Sequence, residues 1–154
     1  MLTAYVQSYH VCLEELKGIY PQHWAELAVD KDIQLAPNYE AYDRLYAADA
    51  LVLVTLRDVH RLVGYFLGVI IPELHYTGCK TCMTDIFYVL PEYRGGAGLM
   101  TSGLRLFKEA ERELRRQRVQ RWYANSKLHR DSGALFRRLG FTPVEMSYCK
   151  RLDK

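Results

Sequence analysis

PEYRGGAGLM, Pro91 to Met100, separates an apolar run, CMTDIFYVL (82–90), from an amphipathic run that begins near Thr101. Gly95, Gly96 and Gly98 follow directly behind Arg94. A helix N-terminus leaves unpaired backbone N–H groups and a partial positive charge, both favourable to an anion. Glycines just ahead of it let backbone approach a ligand without side-chain interference. Arg94 adds directional donors, and Thr101 and Ser102 bring hydroxyls to the first turn. One reading of the stretch is therefore a phosphate cradle; the other is a loop whose glycines serve turn geometry alone. It is neither a Walker loop, since no Gly-Lys-Ser/Thr follows, nor the dinucleotide fingerprint, whose spacing differs after Gly95.

Outward from this junction the chain alternates in character. LTAYVQSY reads as a first strand. HVCLEELKGIYPQHWAELA reads as helical and is expected to break near Pro21. Asn38 caps a second helical run, YEAYDRLYAADA. ALVLVTLRD and RLVGYFLGVII are β-branched and aromatic and form a hairpin about Asp58–His60. Past the glycines, Leu99, Gly103, Phe107, Ala110 and Leu114 recur at helical spacing, opposite a charged face. VQRWYAN is a strand, SGALFRRLG a short helix ending at Gly140, and FTPVEMSYCKRL a closing strand. The order predicts an α/β (α+β layered) fold with a mixed, largely antiparallel sheet flanked by helices.

The 154 residues suit a single domain, 1–154, with a helical region at 1–49 and a sheet-rich core at 50–154. Apolar residues are 49% and charged residues 25%, ordinary globular usage, so disorder is not expected. A formal charge of +3 suits an anionic ligand and is too small to argue for nucleic acid. No apolar stretch approaches the ~20 residues that span a bilayer, so no membrane association is expected. The first residues lack a basic segment followed by an apolar core, and four cysteines are too few for a disulfide scaffold; a reduced, cytoplasmic setting is the expectation.

FYVLPEYRGGAGLM, with LVGY upstream and ALFRRLGF downstream, resembles the GNAT superfamily of acyl-CoA-dependent N-acyltransferases across about Leu51 to Tyr148. PQHWAEL and IQLAPNYEAY are similar to acetyltransferases encoded by tailed phages and prophages. The resemblance implies a sheet splayed open beside the glycine junction, with acetyl-CoA as cosubstrate. The pantetheine lies along Phe87, Tyr88 and Val89, and the pyrophosphate on the amides of Arg94, Gly95, Gly96, Ala97, Gly98 and Leu99. Thr101, His129, Arg130 and Phe136 complete the cofactor-binding set, His129 standing where relatives often carry asparagine. Two departures stand out. The family pattern places glycine, then glycine or alanine, three and five residues after the arginine, where this chain has Ala97 and Leu99. The tyrosine that returns a proton to the departing thiolate is matched here by Phe136, whose ring carries no proton to give.

Acyl transfer to an amine needs a neutral nucleophile, a polarised thioester carbonyl and a proton for the leaving sulfur. A lysine-like amine, with a pKa of about 10.4, must first lose a proton. Asp85 is the candidate base, placed by strand alternation on the face of Phe87 and Val89; its bland reading is a partner for a basic neighbour. Tyr123, Tyr148 and His129 are candidates for the acid, and the resemblance assigns carbonyl polarisation to the amide of Val89 or Leu90. Cys79 and Cys82 have the spacing of half a zinc site, but no second close pair exists and no metal is expected. Lys127 and Arg130 suit the 3′-phosphate of the coenzyme, while Arg112–Arg118 reads as a solvated face. The aromatic N-terminal third (Tyr20, His23, Trp24, Tyr39, Tyr42, Tyr46) is expected to roof the acceptor site, with Glu26 as a candidate amine-recognising charge. The expected activity is transfer of acetyl to a primary amine of a small molecule or protein, by direct attack in a ternary complex. The alternative is a non-catalytic coenzyme A-binding or protein-interaction module. Pairing of two copies through sheet edges is a further expectation.

Overall fold

The β-branched runs at 51–72 and 80–89 pair as the long strands of one sheet, because each buries a side chain on both faces. A computed structural model describes residues 1–95 and 100–154. Five strands run in spatial order β1 (Leu2–Val6), β2 (Leu51–Asp58), β3 (Arg61–Pro72), β4 (Lys80–Val89) and β5 (Arg121–Tyr123). The first four are antiparallel neighbours; β5 lies parallel to β4. Helices α1 (Tyr9–Leu27) and α2 (Tyr39–Ala47) precede the hairpin, while α3 (Ser102–Arg116) and α4 (Gly133–Arg138) flank β5 in sequence.

Alternation sorts the side chains of the sheet. Tyr65 and Tyr88, paired across β3 and β4, meet Tyr20 and His23 of α1. Phe66 and Phe87, the next pair, meet Phe107 of α3, and Phe87 also meets Phe136 of α4. The sheet is thus covered on both faces. Phe107 is the hub of the second face, with ring centroids 5.4 Å from Phe66, 4.9 Å from Phe87, 5.5 Å from Trp122 and 5.6 Å from Phe136.

Two expectations are corrected. Pro21 does not break α1, which runs unbroken through it with the proline exposed. Proline costs a helix the bond from its missing N–H, and here the loss falls on the outer face while Ile19 and Tyr20 hold the inner one in the core. The segment FTPVEMSYCKRL forms no strand. Phe141 packs on Trp122 and Phe136 and Arg151 pairs with Asp30 and Asp32, whereas Val144, Met146 and Tyr148 are exposed. β-propensity needs a partner strand to act on, and three-residue β5 offers little edge. Gly140, by contrast, takes φ +86° beyond α4, the left-handed stop its position suggests.

Truncating the hub should be costly. Phe107→Ala is expected to lower stability by about 3–5 kcal/mol, read as a fall in the urea midpoint with little change in slope.

Candidate functional site

β4 and β5 pair only over Thr81–Met83 with Arg121–Tyr123. The indole Nε1 of Trp122 donates to Thr84 Oγ1 at 2.9 Å where the pairing stops. From there β4 runs on to Val89 with β3 as its one strand neighbour among the described residues. In an antiparallel pair, alternate residues turn their N–H and C=O away from the partner. The Leu90 amide donates to Val63 O at 2.8 Å, which makes Gly64 and Val89 a non-hydrogen-bonded pair. Val89, and Phe87 two residues earlier, therefore direct their polar backbone groups to the open edge. The same bond takes Leu90 out as a donor to a ligand.

A cavity of about 780 Å³ opens on this edge. Its walls come from the C-terminal half of α1, the segment 34–37, Tyr42 of α2, residues 84–89, the start of α3 and the loop 125–132. At its glycine end, Gly95 has φ +94°, a left-handed conformation that side chains disfavour. Thr101 caps α3, its Oγ1 accepting from Leu104 N at 3.4 Å, and Ser102 Oγ donates to Tyr93 O at 2.6 Å. Gly96, Ala97, Gly98 and Leu99 lie outside the described residues.

Arg94 does not extend a free guanidinium into the cavity. Its Nη1 and Nη2 donate to the two carboxylate oxygens of Glu26 at 2.5 and 2.7 Å, and its Nε donates to Val89 O at 2.6 Å. Arg130 Nη2 reaches Glu26 at 2.8 Å and the Tyr88 hydroxyl donates to it at 2.8 Å. The Arg94 hydrogen bonds, with Tyr88 and the charge of Arg130 in support, hold the Glu26 carboxyl down at about 2. Glu26 is thus an internal counter-ion, not an open charge for an amine. Arg130 and Lys127 remain on the cavity wall.

A bulge decides where Asp85 points. Leu67 pairs with Ile86 and Gly68 with Thr84, leaving Asp85 without a partner. The extra residue breaks the alternation, so Asp85 does not share the face of Phe87 and Val89. Its Oδ2 accepts from the Tyr42 hydroxyl of α2 at 2.5 Å, while Phe87 packs against α3 and α4. Burial, followed by this bond to Asp85, pushes the ionisation of Tyr42 up, so the phenol stays a donor. Deeper in, His23 stacks on Tyr88 with centroids 4.6 Å apart, and its Nδ1 shares a 2.5 Å hydrogen bond with Tyr65 OH. Burial, helped by the charges of Lys127 and Arg94 and opposed by that of Glu26, pushes His23 down to about 4.

The structure does not gather the candidate acids. Tyr148 is 89% exposed, and Tyr123 and His129 do not line the cavity. Phe136 is buried among Phe87, Phe107 and Phe141. Of the N-terminal rings, Tyr20, His23, Trp24 and Tyr42 reach the cavity, whereas Tyr39 and Tyr46 pack outside it. The pairings of Glu26 with Arg94 and of His23 with Tyr65 span tens of residues and leave no mark in the local sequence. The Cys82 thiol is buried and pushed up to about 12 by that burial.

His23 should make stability depend on pH. Its folded pKa lies below the ordinary value of 6.5, so between pH 6.5 and about 4 the unfolded chain binds a proton that the fold excludes. Stability is expected to fall as pH falls through that window, by on the order of 2–3 kcal/mol at its foot. Urea titrations of the natural chain and His23→Phe at pH 7 and 4.5 read this directly. The stability gap should narrow at the lower pH, and a constant gap refutes a neutral buried imidazole.

No family model matches the chain, and no curated protein matches it in sequence. Solved structures do match. The ribosomal-protein-alanine N-acetyltransferase of Brucella melitensis biovar Abortus 2308 superposes with a TM-score of 0.74 at 16% identity, covering 100% of this chain and 99% of that one. The aminoglycoside N-acetyltransferase AAC(6')-Iy, in complex with a bisubstrate analogue of coenzyme A, gives 0.72 at 17% identity over 98% and 97%. Glucosamine-6-phosphate N-acetyltransferase from Arabidopsis thaliana gives 0.71 at 8% identity over 99% of each chain. At these identities the likeness establishes architecture, and the architecture is that of the GNAT N-acetyltransferases.

Proposed function

We propose that the chain is an acyl-CoA-dependent N-acetyltransferase that moves an acetyl group from acetyl-CoA to a primary amine within a ternary complex. The observation that carries this reading is the open edge of β4 beside Asp85: the N–H and C=O of Phe87 and the N–H of Val89, directed away from β3, run along a cavity that the Asp85 carboxylate of the same strand also lines. Extended pantetheine, an amide chain, pairs with such an edge as a further strand would. Lys127 and Arg130 supply positive charge for the coenzyme phosphates. Arg94 serves chiefly by fixing the strand exit, since its guanidinium is spent on Glu26 and Val89.

Asp85 accepts a proton from the bound ammonium, and the neutral amine attacks the thioester carbon. The Val89 N–H, directed to the open edge, donates to the carbonyl oxygen as it becomes negative. The C–N bond forms, the C–S bond breaks, the new amide nitrogen gives up its second proton to water, and coenzyme A departs as a thiolate that is protonated from solvent. A thiol pKa near 8.5 makes that departure feasible at neutral pH without a phenol at position 136.

A thiol-release assay with acetyl-CoA and a panel of amines tests the reading, with calorimetry on coenzyme A alongside. Asp85→Asn is expected to lower kcat by about 100-fold or more while coenzyme affinity stays within twofold. Coenzyme binding with no turnover of any amine would instead favour the non-catalytic module, which the phenylalanine at 136 otherwise suits.

A further inference from the structure

The acceptor end of the cavity is aromatic and carries little negative charge. Tyr20, Trp24, Leu35, Pro37, Tyr42 and Tyr65 line it. Among the described residues on the whole cavity wall, the carboxylates are Glu26, Asp85 and Asp131. Glu26 is held by Arg94, Arg130 and Tyr88. Asp131 accepts from Ser126 Oγ at 2.7 Å and from the Gly133 amide at 2.8 Å. Asp85 remains, with one bond from Tyr42 and an exposed position at the bulge. A carboxylate has about four acceptor sites, so capacity is left for one ammonium. Arg94 and Arg130, both paired with Glu26, and Lys127 also line the cavity.

Resting on the acetyltransferase reading, we propose that the acceptor is a small monoamine with an aromatic body, its ammonium on Asp85 and its ring among Trp24, Tyr20 and Tyr42. An aromatic ring gains from offset or edge contact with these side chains beyond the area it buries. A polyamine or an aminoglycoside would bring several ammonium groups to one available carboxylate. Each unpaired charge would lose water without a partner, and that cost discriminates against the whole class. The aminoglycoside N-acetyltransferase AAC(6')-Iy, which shares the fold, therefore does not set the acceptor here.

The test compares kcat/KM for phenethylamine and tryptamine with spermidine, kanamycin and ethanolamine, using the full chain and acetyl-CoA. The ring-bearing monoamines are expected to exceed each of the others by about 100-fold, near the limit an apolar pocket reaches through one side chain. Binding is read separately by tryptophan fluorescence titration with phenethylamine in the presence of coenzyme A. Quenching should saturate in the natural chain and be lost in Trp24→Phe, which leaves Trp122 in place. Turnover of spermidine or kanamycin at equal or higher efficiency overturns the acceptor class and leaves the acetyltransferase reading standing. Saturable quenching without turnover supports the acceptor class and overturns the activity. Absence of both turnover and quenching overturns the acceptor class.

Discussion

The parting of β4 from β5 is the constraint on which the site depends. Buried backbone polar groups must find partners, and a sheet edge that stays unpaired in the interior is costly unless something fills it. Over Thr81–Met83 that partner is β5; beyond Thr84 it is a cavity. The Trp122–Thr84 bond closes the paired part, and the phenylalanine cluster about Phe107 holds β5, α3 and α4 to one face so that the gap keeps its width. The bulge at Asp85 begins within one residue of the parting. One short stretch of strand thus provides both the backbone edge and the carboxylate.

Much of the layout is legible in the sequence, because it follows from local pattern. The hairpin of β2 and β3 comes from two β-branched runs around a short turn, and Asn38 and Gly140 bracket helices as capping chemistry requires. The splayed sheet and the GNAT architecture follow from resemblance at the PEYRG junction and stand in the structure. The aromatic N-terminal region does supply cavity walls through Tyr20, His23, Trp24 and Tyr42.

What was hidden depends on long-range pairing. Strict alternation puts Asp85 with Phe87, and only the register across β3 exposes the extra residue that turns it toward α2. Pro21 reads as a break until its exposed side of α1 is known. FTPVEMSYCKRL has strand composition and no edge to join. Arg94 looks like a phosphate ligand from its place before the glycines, yet its fork is committed to Glu26, 68 residues away. A guanidinium in a bidentate pair is a different object from one facing solvent.

That clamp also limits how the molecule can vary. Helix α1, a wall of the cavity, carries the counter-ion for the strand that leads into the glycine turn, so it cannot be exchanged independently of that strand. A transplanted helix without an acid at position 26 would leave Arg94 and Arg130 facing each other across an unneutralised gap, and the strand exit would lose its anchor. Variation of the α1 side of the cavity is therefore tethered to one glutamate.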